Sequence, residues 1–203
     1  MDDALHHLSQ VDPIMAGLIA RYPSPALKKH THYYQKLVDS IISQQLSVRA
    51  AAVIEDRFKA IYGGTFPAPE QIITTDIETL RSAGLSRPKA TYIQDLARHI
   101  IDGTVDFSQL DSLSNDEIVT ELVKVKGIGE WTAHMFLMFC MGRLDVLPTG
   151  DLGIRNGVAR LFNFDHIPDA REIEELASAR HWHPYESVAS WYIWQSLENK
   201  PAL

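Results

Sequence analysis

A chain of 203 residues, 45% hydrophobic and 22% charged, is sized and composed for one medium domain or two closely packed lobes around a substantial core. No apolar run approaches the ~20 residues of a membrane span, and the acidic, polar start MDDALHHLSQ lacks a signal peptide's basic and apolar regions, so a soluble protein of the cytoplasm, nucleoid or nucleus is expected. A net charge of −7 excludes a uniformly basic surface, so any contact with nucleic acid has to come from local charge and backbone amides.

Helical periodicity dominates. From Tyr34 to Leu46 the apolar residues Leu37, Ile41, Ile42 and Leu46 recur at three- to four-residue spacing, predicting one buried stripe. A second helix follows from about Val48 to Tyr62 and stops at Gly63-Gly64. Two short helices are expected at Pro69 to Ile73 and Asp76 to Ser82. Ser86 reads as the N-cap of a helix through Ile101, with Pro88 tolerated in its first turn. Ser114 and Glu117 have the spacing of a capping box, as do Asp169 and Glu172, which open a helix through Ala179. Pro184 suits the first turn of a last helix through Leu197. Roughly nine helices, short loops and no alternating strand pattern make the class all-α.

The most informative stretch is Leu122-Val-Lys-Val-Lys-Gly-Ile-Gly-Glu-Trp-Thr-Ala-His-Met-Phe136. One helix is expected to end at Val125, Gly127-Ile128-Gly129 to turn the chain, and another helix to begin at Trp131. Glycines permit the tight turn, Ile128 can plug between the helices, and the second helix would present its N-terminal amides and dipole to an anion such as a DNA phosphate. A bare Gly-x-Gly is equally an ordinary helix corner. Lys124 and Lys126 add the local positive charge that the whole chain lacks. Between them and the next motif lies Cys140, the single cysteine, which reads as a core thiol within MFLMFCM and rules out an intrachain disulfide or a cysteine cage for zinc or iron–sulfur.

Next comes Leu144-Asp-Val-Leu-Pro-Thr-Gly-Asp151-Leu-Gly-Ile-Arg155, where Pro148 and Gly150 break the chain and Asp151 stands at the mouth of a helix through about Leu161. The helix dipole and first-turn amides favour a carboxylate there, and a fixed anion is what steadies the positive charge that develops on a sugar when an N-glycosidic bond breaks. On the local pattern alone, the plainer reading of Asp151 is a helix N-cap. Asp145, which lacks the helix-mouth position, reads as structural or solvent-exposed.

Val125, Gly127, Gly129, Ala133 and Phe136, with Leu147-Pro-Thr-Gly-Asp151 about twenty residues later, resemble the helix-hairpin-helix superfamily of DNA glycosylases. Within it the chain is similar to the 3-methyladenine DNA glycosylase II, or alkylpurine, branch. Ile42-Ser-Gln-Gln-Leu-Ser-Val-Arg-Ala-Ala51, Ala83-Gly-Leu-Ser-Arg-Pro-Lys-Ala90 and Gly127-Ile-Gly-Glu-Trp-Thr-Ala133 carry that likeness, over about Tyr34 to the C-terminus. Some members carry an added N-terminal β-domain, and nothing before Tyr34 reads as one.

The resemblance implies a two-lobed helical fold with a cleft between the lobes, one formed by approximately 34–145 and the other by the N-terminus and 150–203. It implies a monomer that flips alkylated purines such as 3-methyladenine or 7-methylguanine out of double-stranded DNA and hydrolyses their glycosidic bonds, with no membrane partner. Asp151 would be catalytic. Lys126, Gly127, Ile128, Gly129 and Thr132 would bind DNA through the hairpin. Trp131, Trp194 and Met135 would line the base pocket, Met135 standing where relatives have a tyrosine. Gln44 and Gln45 would fill the gap left by the flipped nucleotide. Bifunctional relatives place a lysine nucleophile where this chain has Trp131, so strand cleavage is not expected. No cofactor and no iron–sulfur cluster are implied, but carbonyls of Val123, Val125 and Ile128 would hold Na+ or K+ when DNA is bound. A noncatalytic hairpin DNA-binding protein and a glycosylase for another damaged base remain the alternatives.

Overall fold

The computed structural model describes residues 1–197, and among these every regular element is helical. Twelve α-helices and one 3-10 turn (Leu110–Ser112) are present, against the roughly nine helices expected. The additional ones are chiefly α1 (Asp2–Val11) and α2 (Pro13–Arg21), which precede the segments read from periodicity. None of the helices among the described residues is long and apolar enough to cross a membrane.

Local chemistry sets most of the boundaries. Ser86 accepts from Lys89 N–H and caps α7 (Arg87–Ile101), with Pro88 in the first turn. Ser114 Oγ accepts from Glu117 N–H while the Glu117 carboxylate accepts from Ser114 N–H, closing the capping box on α8 (Asn115–Leu122). Asp169 and Glu172 do the same for α11 (Ala170–Ala179). Each such cap is worth about 1 kcal/mol. Several ends fall a few residues from expectation, those of α8 and α12 among them. α8 stops at Leu122 rather than Val125, because beyond Val123 the bonds tighten to i→i−3, Lys124 N–H to Glu121 carbonyl at 3.3 Å and Val125 N–H to Leu122 carbonyl at 3.1 Å. Pro184 lies ahead of α12 (Glu186–Gln195) instead of inside its first turn.

The chain divides into two compact units, one comprising Thr31–Phe136 and the other Met1–His30 with the chain from Leu137 onward. In the first, α3 (Tyr33–Ser43), α4 (Val48–Ile61), α5 (Pro69–Thr74), α6 (Ile77–Ser82) and α7 pack on one another. Their core includes Leu37, Ile41, Ile42, Phe58, Ile72, Leu80, Ile93 and Leu96, all fully buried. In the second, α1, α2, α10 (Leu152–Leu161) and α12 assemble around Leu8, Met15, Val158, Trp182, Tyr192 and Ile193. Asp12 knits this unit together. It is buried, caps α2 through Ile14 N–H, and accepts Trp182 Nε1–H at 3.0 Å. Two features of α10 and α12 matter for the site. Gly157 has no room for a side chain, because a Cβ there would lie 2.3 Å from Ile193 Cγ2, so the two helices approach closely. α12 is buried along most of its length, which fixes the direction of its aromatic side chains.

Candidate active site

The hairpin lies between α8 and α9 (Glu130–Phe139). Ile128 N–H bonds to Val125 carbonyl at 3.1 Å, and Val125 and Ile128 are buried, so the turn is pinned by its apolar side chains while Gly129 is exposed. Its two glycines differ in their surroundings. Gly127 adopts φ +84° against the Tyr92 ring, where a Cβ would lie 2.2 Å from Cδ2. At Gly129 a Cβ would meet nothing within 4 Å, so packing demands no glycine there and the open space is available to an incoming group. Amides of a helix's first turn lack intrahelical acceptors, and the α9 start adds its dipole to this open side.

Charge around the turn is uneven. Lys126 extends outward with its side chain 71% exposed, although its ammonium lies 4.0 Å from Asp95 Oδ1. Lys124 is engaged by Glu121 at 2.9 Å. Burial pushes His134, one turn into α9, below the usual imidazole range, so it adds little positive charge. Thr132, expected in the DNA-binding hairpin, is 6% exposed.

Gln44 and Gln45 form the turn between α3 and α4. Gln45 is exposed and adopts φ +57°, a left-handed conformation uncommon for a non-glycine residue. Gln44 is instead anchored, its Nε2 donating to Gly127 carbonyl at 2.8 Å. The two glutamines therefore differ in kind: one ties this turn to the hairpin and the other projects from its tip.

Asp151 caps α10. Its Oδ1 accepts from Ile154 N–H at 2.8 Å and from Trp194 Nε1–H at 2.8 Å, and the residue is 9% exposed. Gly153 makes this convergence feasible, since a Cβ there would lie 2.9 Å from Asp151 Oδ1 and 3.1 Å from the Trp194 ring. The preceding loop is braced by α12: Ser187 Oγ accepts Val146 N–H at 3.0 Å, and Ser187 N–H donates to Leu144 carbonyl at 2.9 Å. Asp151 is thus both an N-cap and a carboxylate fixed by a second donor 43 residues away in sequence. Asp145 is exposed.

Trp194 is 1% exposed, with its ring edge committed to Asp151 and its face 6.0 Å from Phe139. The residue expected to line the base pocket is held by packing, since α12 packs against α10 and carries the indole into the interior. Trp131, by contrast, is 47% exposed at the start of α9, and Met135, one turn on, is half-buried. Sequence reasoning missed Ser187, Gly153 and the anchoring function of Trp194. Only Gly153, in Asp-Leu-Gly, left a local trace.

A hairpin that offers main chain and lysine beside a glycine turn, in an all-helical chain that also holds a buried carboxylate at a helix head, defines a helix-hairpin-helix protein. The family model of HhH-GPD superfamily base excision DNA repair proteins matches residues 38–181, and the chain belongs to that superfamily. It is similar to DNA-3-methyladenine glycosylase 1 of Schizosaccharomyces pombe, 35% identical over 196 residues that cover 94% of this chain and 85% of that protein. Solved structures resemble it as well. The Schizosaccharomyces pombe 3-methyladenine DNA glycosylase Mag1, in complex with abasic DNA, matches at TM-score 0.80 and 33% identity, covering 97% of this chain and 98% of that one. The DNA-3-methyladenine glycosidase of Bacillus halodurans matches at TM-score 0.84 and 35% identity, covering 95% and 88%.

Proposed function

We propose that this protein is a monofunctional base-excision DNA glycosylase that removes alkylated purines of the 3-methyladenine and 7-methylguanine type from double-stranded DNA, acting as a monomer. The observation that carries the reading is Asp151, a buried carboxylate held by Ile154 N–H and Trp194 Nε1–H at the head of α10. Its relatives' names and the abasic-DNA complex of one of them support the same assignment.

The chemistry follows from the lesion. N-alkylation leaves a purine nucleoside cationic, so when the C1′–N bond breaks the bonding pair leaves with a neutral base and no acid is needed to protonate it. Positive charge moves onto the sugar, where the Asp151 carboxylate stabilises it in a dry, preorganised setting. Water then adds to C1′ and gives up a proton to Asp151 or to solvent. Two donors on Oδ1 hold the carboxylate in one orientation, so little reorganisation accompanies the reaction.

The remaining residues divide the work. The open main chain at Gly129 and the start of α9, on the turn that Gly127 and Ile128 shape, grips phosphate with Lys126 without regard to sequence. Carbonyls of Val123, Val125 and Ile128 suit a monovalent cation, since neutral main-chain oxygens replace the hydration shell of such an ion and a carbonyl retains a second lone pair beyond the one Val125 gives to Ile128. When bound, the ion would add positive charge to the hairpin, which favours a phosphate there. Trp131 presents an exposed indole on which an electron-poor base stacks, worth roughly 1–3 kcal/mol, with Met135 as a soft neighbour. Trp131 also occupies the position of the nucleophilic lysine in strand-cleaving relatives, so the abasic strand stays intact. Gln45 fills the vacated stack.

The test is release of free methylated purine from alkylated duplex DNA. Wild-type protein is expected to release it without cutting the strand, and Asp151→Asn to be at least about a hundredfold slower. Strand scission by the wild type, or full activity in the variant, overturns the assignment.

A further inference from the structure

Lysine is poorly placed in the first turn of a helix, where the positive end of the dipole repels it. Lys89 stands there, as the third residue of α7. Its head explains the position. The ammonium donates to Ile42 carbonyl at 2.8 Å and to Gln44 carbonyl at 2.6 Å, the acceptors at the C-terminal end of α3. A helix end leaves carbonyls without intrahelical donors and carries negative partial charge, so the cation satisfies both demands at once. The residue is half-buried, and desolvation lowers its pKa, so these two carbonyls replace the water that the ammonium gives up.

The same helix reaches the hairpin. Tyr92, one turn along α7, packs against Gly127, and Asp95, one turn further, is buried and accepts Lys126 N–H at 2.9 Å. Gln44 closes the circuit through Gly127 carbonyl at 2.8 Å. One helix therefore holds the phosphate-gripping turn with Tyr92 and Asp95, and the turn bearing Gln45 with Lys89. Between Gln44, fixed by carbonyl and side chain, and Leu46, whose N–H bonds to Ser43 carbonyl at 3.0 Å, Gln45 is held in its left-handed conformation at φ +57°. A non-glycine conformation of this kind persists where its surroundings over-determine it.

We infer that Lys89 is a positioning residue for base extrusion: its ammonium locks the α3–α4 turn so that Gln45 enters the helical stack while the hairpin holds the backbone. This rests on the glycosylase reading above. Lys89 touches neither lesion nor sugar in this scheme, so its loss slows flipping and leaves bond cleavage intact.

The experiment measures single-turnover base release by wild type, Lys89→Met and Lys89→Arg on two duplexes, one with the lesion paired and one with the same lesion opposite a mismatched base, where extrusion is cheaper. Lys89→Met is expected to be about tenfold slower on the paired duplex and under about threefold slower on the mismatched one, as loss of a charge-assisted contact predicts. Lys89→Arg, which can donate to both carbonyls, is expected to recover most of the rate. In a Gln45→Ala background, Lys89→Met is expected to add under about threefold, because both act on one step. If Lys89→Met does not fold, Lys89→Gln carries the same comparison. Equal slowing on both duplexes, or none on either, overturns the inference. A wild type inactive on both duplexes would instead sink the glycosylase reading itself.

Discussion

The hairpin and the head of α10 are both places where a turn opens a helix, yet they are built in opposite senses. In the hairpin the side chains of Val125 and Ile128 are buried and the main chain at Gly129 is open. At α10 the functional group is a side chain turned inward: Asp151 is 9% exposed, while its neighbour Leu152 is 61% exposed. A surface that grips phosphate through amides depends on backbone shape and tolerates changes of side chain. A site that stabilises a sugar cation depends on one carboxylate and the donors that aim it. Binding and chemistry should therefore come apart under substitution.

The largest effect short of removing Asp151 is expected within the hairpin. Gly127→Ala drives a methyl into the Tyr92 ring and strains φ +84°, so DNA affinity should fall by tenfold or more with a lowered Tm. Gly129→Ala meets open space, so its Tm should be unchanged and its affinity reduced by only about threefold. A reversal of that order, read by fluorescence anisotropy and thermal melts, would break the idea that the two glycines serve shape and access respectively. Next is Trp194→Phe, which keeps the ring and removes the Nε1–H donor at 2.8 Å from Asp151. Base release should slow by about tenfold at constant DNA affinity. A matching loss of affinity would return Trp194 to the binding side of the comparison. The smallest effect is electrostatic. Lys126→Ala should reduce the slope of log affinity against log salt by about one, because its charge reaches solvent. Lys124→Ala should change the slope less, since Glu121 already engages that ammonium at 2.9 Å. Equal slopes would mean that the two lysines are not distinguished by their partners.

What could be read from sequence tracks the range of the interaction. Caps act over three residues, so Ser86, Ser114–Glu117, Asp151 and Asp169–Glu172 were legible, and with them the starts of α7, α8, α10 and α11. The glycine turn was legible for the same reason. α1 and α2 escaped because α1 buries only Ala4 and Leu8 along a sparse stripe, although Asp12-Pro13 is a readable helix start. The burial of Trp194 and Thr132 was not legible, because helical spacing shows which residues share a face, not whether a distant helix covers it. The role of Lys89 left no local signal, although the residue sits in the Ala83–Ala90 stretch: its acceptors lie 45 and 47 residues earlier, and in the linear chain it looks like a misplaced charge.

The division of labour is tested most directly by one paired measurement on Asp151→Asn: single-turnover release of methylated purine, and equilibrium affinity for the same lesion duplex. The account predicts a rate at least about a hundredfold lower with affinity within about threefold of wild type. Retained catalysis, or a collapse of binding that accounts for the lost rate, would contradict it.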